Sequence, residues 1–179
     1  MSGDVQHPRR EIRDSVFAIL KEKVPNVISF SKNRFRPIWQ SEELPGLGVY
    51  TLQETSEVLD EAPRRLKRTL TLAVEVVVQG DEKLDDTLDE ICLDVENAIH
   101  VDETLNCKVS DCRLVSTDLI QKPEGDTLTG SAILNFEAVY FTYAPDVQNL
   151  RPYKGADFVI ERGVEDAPTM EGTANVDAF

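Results

Sequence analysis

The sequence predicts an α+β fold in which two helices pack on a mixed, mainly antiparallel sheet of about five strands, in the order α-β-β-β-α-β-β. Apolar residues recur at helical spacing in two segments, and long stretches of alternating apolar and polar residues flank the second of them. A chain of 179 residues fits one domain with an extension. We therefore expect a domain at residues 1–143 and a C-terminal arm at residues 144–179.

Both helices are predicted from apolar stripes along one side. The first spans Arg9 to Lys23 and ends before Pro25. The second spans Glu82 to His100, and its remaining surface is strongly acidic. The residues that form the two stripes are Ile12, Val16, Ile19 and Leu20 in the first helix and Leu84, Leu88, Ile91, Val95 and Ile99 in the second. Each helix is expected to pack on the sheet by one face only.

The first two predicted strands are short. They span Val27 to Ser31 and Gly48 to Thr55, and the proline-containing segment Lys32 to Leu47 between them is predicted as a loop. Ser56 to Arg65 is polar and contains Pro63, so we expect an irregular connection there.

The third strand and the closing hairpin are predicted to be long. The third strand spans Arg65 to Gln79, and the hairpin pairs Lys108 to Gln121 with Thr127 to Tyr143. A strand of about sixteen residues extends about 50 Å, compared with the usual length of about 17–20 Å. Such strands either offer edges and arms to other copies of the chain, or are divided by bulges and bends.

The charge of the chain is negative and unevenly distributed. The formal net charge is −14, which argues against a general nucleic-acid-binding protein because such proteins neutralise phosphates with cations. Residues 1–40 have a balance of +4, and residues 81–103 have a balance of −9. Opposite poles favour contacts between copies through complementary fields, although an ordinary solvated surface has the same pattern.

The residues offer little catalytic chemistry. His100, Cys107 and Cys112 have a spacing that matches no common zinc site, so we expect structural cysteines, no metal and no cofactor. With two histidines and no nucleophile motif, a small metal-dependent enzyme is a remote alternative. An odd cysteine count without a secretory leader predicts reduced thiols in the cytosol, and no apolar segment is long enough to cross a membrane.

Several side chains are candidates for contact with partners. Basic and aromatic residues occur together before the second strand, basic residues cluster at the start of the third, and acidic residues crowd the second helix. An apolar cluster in the C-terminal arm could add a strand to a neighbour. The interface candidates are Arg34, Arg36, Trp39, Arg64, Arg65, Arg68, Asp85, Asp86, Asp89, Phe158 and Ile160. The basic group at 64–68 is expected either to be solvated or to form salt bridges with the acidic helix of another subunit.

The order of several motifs resembles the tail terminator proteins of long-tailed bacteriophages. The resemblance covers about residues 9–143 and depends on the combined order more than on any single motif. The matching features are the segment Leu44 to Thr51 (LPGLGVYT) with Glu54 and Glu57, the pair Arg64-Arg65, the strand Leu70 to Val78, the helix Leu84 to Ile99 with its turn Glu96 to Asp102, and the strand Phe136 to Tyr143.

This resemblance implies a structural virion protein at the tail–neck junction, assembled in the host cytoplasm. Such a subunit forms a hexameric ring that caps the tail tube, ends its polymerisation and provides a docking surface for the head-completion or connector protein. A sheath protein is a further candidate partner, DNA only passes through the lumen, and the resemblance implies no catalytic residue. We expect Glu75 and Glu137 to face that lumen. The alternative is another neck or head–tail joining protein.

Overall fold

The computed structural model describes residues 6–32, 41–80, 83–124, 127–143, 157–159 and 171–173. The chain divides into two compact units, Met1–Ala144 and Pro145–Phe179.

Within the described residues, the first unit combines two α-helices with one five-stranded sheet. The helices are α1 (Pro8–Lys23) and α2 (Leu84–His100), and the strands are β1 (Ser29–Ser31), β2 (Gly46–Glu61), β3 (Arg64–Gly80), β4 (Asp111–Glu124) and β5 (Thr127–Tyr143). The sheet has the order β1-β2-β3-β5-β4, with β1 parallel to β2 and the other neighbours antiparallel. The predicted class, the mixed sheet and the order α-β-β-β-α-β-β are confirmed.

The hydrophobic core lies between the two helices and one face of the sheet. Every second residue of β3 from Leu70 to Val78 is buried there, because alternate side chains of a strand point to the same face. The helical side of the core consists of Ile12, Val16, Leu20, Leu84, Leu88, Ile91, Val95 and Ile99. Phe136 of β5 is among the largest fully buried side chains. The predicted stripes are therefore the packing surfaces, except that Ile19 is only partly buried.

The long strands are continuous. β3 and β5 pair over sixteen positions, from Arg65 opposite Tyr143 to Gly80 opposite Leu128. Bulges interrupt the register at Thr51/Gln53 and Val58/Asp60 in β2, and at Leu114/Ser116 in β4. These irregularities bend the strands without dividing them.

The predicted irregular connection at Ser56 to Arg65 is wrong. β2 continues to Glu61 and turns directly into β3, so these residues form a two-stranded ribbon. Ser56 to Glu61 are all exposed, and consequently no apolar alternation marks them in the sequence. Backbone pairing with β3 supplies the order that burial does not.

The second unit contains a short antiparallel pair, β6 (Asp157–Val159) and β7 (Glu171–Thr173). Of the apolar cluster predicted to add a strand, Phe158 and Val159 lie in β6, and the pairing of β6 with β7 of the same chain was not predicted. Phe158 is described only as backbone, and Ile160 lies outside the described residues.

Close packing of α2 on β5 makes Gly130 sensitive to substitution. A Cβ atom on Gly130 would lie 2.5 Å from Cδ2 of Leu84, whereas one on Gly80 would lie 3.7 Å from Cβ of Leu84. We expect Gly130→Ala to lower the free energy of unfolding by about 1–2 kcal/mol relative to Gly80→Ala, since only the former displaces Leu84. Urea denaturation measures both variants, and equal values would contradict this packing.

Candidate interaction surfaces

The face of the sheet opposite the core is covered by neither α1 nor α2; we call it the open face. It is formed by the alternate residues of the same strands that build the core. Its central residues are Thr71, Ala73, Glu75 and Val77 of β3 and Ile133, Asn135 and Glu137 of β5. Ala73 and Val77 are nevertheless buried, so the neighbouring side chains shield them.

Polar contacts dominate the open face. Asn135 donates its side-chain amide to Ser116 Oγ at 3.1 Å and to Asp118 Oδ2 at 3.0 Å. Arg113 Nη2 donates to Glu137 Oε2 at 3.1 Å across the β4–β5 pair. A face crossed by such a network is suited to water or a polar partner rather than to a second hydrophobic layer.

Glu75 and Glu137 both lie on the open face, as the lumen hypothesis requires. Glu75 pairs with Ile133 and Glu137 with Thr71, which places the two carboxylates on adjacent strands. Both residues are half-buried, and each has a partner within the chain.

Arg68 belongs to a polar cluster at the end of the core and pairs with a carboxylate of its own chain, so neither alternative given for the basic group at 64–68 describes it. Its Nη1 donates to Glu54 Oε2 at 2.9 Å, and its Nε donates to Thr142 Oγ1 at 2.9 Å. The side chain of Glu54 is only 9% exposed and that of Arg68 24%. Arg9 Nε of α1 lies 3.9 Å from the same Glu54 oxygen, so this carboxylate links the first helix to three strands.

Tyr140 completes this cluster. Its hydroxyl donates to Glu54 Oε1, and the side chain is buried at the end of the core. Burial first, and then the bond to Glu54 and its negative charge, raise the pKa of Tyr140 to about 12.

The other two arginines of the basic group have separate surroundings. Arg64 Nη2 lies 3.2 Å from Glu61 Oε2 beside the turn of the β2–β3 ribbon. The guanidinium of Arg65 lies over the rings of Phe141 at 4.7 Å and Tyr143 at 6.0 Å from the ring centroids. The Nε atom of Arg65 is buried without a hydrogen-bond partner. Of the three arginines, Arg65 is therefore the one whose guanidinium lies against aromatic rings.

The acidic residues of α2 face away from the core. Asp85, Asp86 and Asp89 are exposed in its first two turns, where negative charge is favourable to the helix dipole. Leu93 is 58% exposed on the side of the helix opposite the buried stripe. The predicted partner contacts of these acids remain predictions, as do those of the three arginines.

The remaining interface candidates from the sequence are not placed. Arg34, Arg36 and Trp39 lie outside the described residues. No contact role was predicted for three residues of these surfaces, Glu54, Tyr140 and Asn135. The charge of Arg68 within the apolar alternation of β3 was nevertheless a usable signal that this side chain needs a partner.

The cysteines occupy ordinary structural positions. Burial is the main reason that the pKa of Cys92 rises to about 11 and that of Cys112 to about 12, and nearby carboxylates add to both shifts. Cys107 is exposed. Among the described residues, no group of three or more His, Cys, Asp or Glu side chains is arranged to hold a metal ion. No helix in the described ranges has the length and apolar character needed to cross a membrane.

Removing the Glu54 carboxylate should strongly destabilise the fold. Glu54→Ala leaves the partly buried Arg68 and the buried Tyr140 without this acceptor, so we expect a loss of about 2–3 kcal/mol in the free energy of unfolding. Arg113→Ala is the matched control, because its pair with Glu137 is more exposed and should contribute less than about 1 kcal/mol. Equal losses in urea denaturation would contradict a special role for Glu54.

Stability should depend on Tyr140 in alkaline solution. The pKa of this phenol is raised from its ordinary value of 10 to about 12 in the folded chain. Its contribution is therefore complete below pH 10 and is lost as the pH rises towards 12, since the unfolded chain ionises first. Tyr140→Phe should have a lower free energy of unfolding than the wild type at neutral pH. Between pH 10 and pH 12 that free energy should fall less than in the wild type. Parallel curves of unfolding free energy against pH would refute this assignment.

Comparison with known proteins adds no assignment: no protein-family model matches this chain, and no significant match to a curated protein is found. What the chain does is therefore to be inferred from the resemblance of its motifs and from its own surfaces.

Proposed function

We propose that this chain is a tail terminator subunit, which forms a ring, of six copies by the resemblance, on the last ring of a bacteriophage tail tube. The observation that carries the proposal is the continuous length of β2, β3 and β5, sixteen or seventeen residues each. Strands of this length exceed what two helices cover, so their ends and the open face are surfaces for assembly. The resemblance over residues 9–143 adds the tail context.

In this proposal the central part of the open face, away from the ribbon end of the sheet, lines the lumen of the ring. DNA that passes through must slide without binding, and carboxylates repel its phosphates. Glu75, Glu137 and Asp118 lie on this face, with Arg113 as the cation beside them. The strand ends provide the surfaces that meet the tube and the head-completion or connector protein.

A head–tail joining protein is the alternative that the same geometry allows, because it too would be a ring with a polar lumen. The two candidates differ in what they bind: a terminator caps a tube, whereas a joining protein binds the neck. An enzyme is less well supported, since the described residues contain no group of His, Cys, Asp or Glu side chains arranged to hold a metal ion.

The test of this function has two parts. Mass photometry and negative-stain imaging should show six-fold rings in solution. Purified tail tubes incubated with the protein should then gain a cap at one end and stop elongating when tube subunits are added. Rings that leave elongation unchanged would favour the joining alternative, and a monomer without effect on elongation would reject both.

Reversing the charge of the open face should make the ring bind DNA. We expect the double variant Glu75→Lys/Glu137→Lys to bind duplex DNA at least about tenfold more tightly than the wild type near physiological salt, because the lumen becomes cationic. Glu11→Lys/Glu22→Lys on α1 changes the net charge equally at two exposed positions outside the proposed contacts and is the matched control. Fluorescence anisotropy measures both variants in ring fractions. An equal gain in the control would contradict a lumen position for Glu75 and Glu137.

A further inference from the structure

Arg65, Phe141 and Tyr143 form a cluster on the open face at the end of the sheet; we call it the arginine–aromatic cluster. Arg65 pairs with Tyr143 in the register of β3 and β5, and Phe141 lies on the same face two residues earlier. Tyr143 is 65% exposed. The rings hold the guanidinium plane by cation–π contact, so the charge is positioned before any partner arrives.

This cluster has the composition of an interface anchor. Arginine and tyrosine are enriched among residues that dominate binding energy at protein interfaces. Lys67 faces Phe141 across the strands and adds a second positive charge beside the cluster. The chemistry that fits is an acidic surface with an apolar side chain beside its carboxylates.

Such a surface exists on α2 of the same chain. The helix has six carboxylate side chains and no lysine or arginine between Leu84 and His100. Its outer side presents Asp86, Asp89 and Glu90 in the two turns that precede the exposed Leu93, and we call these four residues the acidic face of α2. Carboxylates and an apolar side chain are thus presented together, which suits a cation that lies beside aromatic rings.

The two surfaces cannot meet within one copy. α2 packs on the core side of the sheet, and the arginine–aromatic cluster lies on the open face. A contact between them therefore joins two different surfaces of two copies, which is a head-to-tail arrangement. Contacts of this kind close into rings when the rotation between copies permits.

We infer that the arginine–aromatic cluster of one copy binds the acidic face of α2 of a second copy. That these contacts close into a ring rests on the proposed function. The inference itself identifies the contact between neighbouring subunits. Arg64 and Arg68 take no part, because Glu61 and Glu54 already pair with them inside the chain.

The test is a charge exchange followed by sedimentation velocity at several concentrations. Arg65→Glu and Asp89→Arg/Glu90→Arg should each weaken self-association by at least about tenfold, since each places like charges at the contact. The triple variant Arg65→Glu/Asp89→Arg/Glu90→Arg should recover most of the wild-type association. Arg64→Glu is the matched control and should be close to the wild type. Circular dichroism and thermal unfolding establish that every variant is folded.

The inference is overturned if Arg65→Glu weakens association no more than Arg64→Glu, or if the triple variant shows no recovery. Rings that resist Arg65→Glu and still cap tail tubes would reject this contact while leaving the proposed function standing. A wild-type chain that stays monomeric and caps no tube would reject both.

Discussion

The difference in length between helices and strands governs the structure. A helix of 17 residues extends about 25 Å at about 1.5 Å per residue, whereas a strand of 17 residues extends about 56 Å at about 3.3 Å per residue. Both helices lie on one side of the sheet. They therefore cover the core-facing side chains of β3 and β5 over only part of the strand length. The open face and the ribbon of β2 and β3 follow from this difference.

The end of the helix-covered region is closed by charge rather than by further apolar packing. Next to Leu70, the core face of β3 continues with Arg68, which donates a hydrogen bond to Glu54 of β2. The hydroxyl of Tyr140 donates to the same carboxylate. Three strands and the first turn of α1 converge on that one carboxylate. The polar cluster lets the sheet continue into solvent with its buried hydrogen-bonding groups paired, which an abrupt apolar edge would not.

Sequence reasoning succeeded where burial imposes a period. The stripe from Leu84 to Ile99 and the alternation from Leu70 to Val78 locate α2 and β3 within one or two residues. It failed at Ser56 to Glu61, where the side chains are exposed on both faces and only backbone pairing orders the strand. The Glu54 cluster was also missed, because its members are 14 and 86 residues apart along the chain and no local pattern connects them. The fold was therefore largely predictable from the sequence. The different surroundings of Arg64, Arg65 and Arg68 were not.

The central claim is that strand surface left uncovered in one copy is covered by another copy. Amide hydrogen exchange measured below and above the concentration of assembly tests this directly, since it reports protection segment by segment. Assembly should slow exchange in the ribbon end Val58 to Lys67 and at Phe141 to Tyr143, and should leave exchange in the core strand Leu70 to Val78 unchanged. Exchange that is independent of concentration in these ribbon and strand-end segments would contradict this claim.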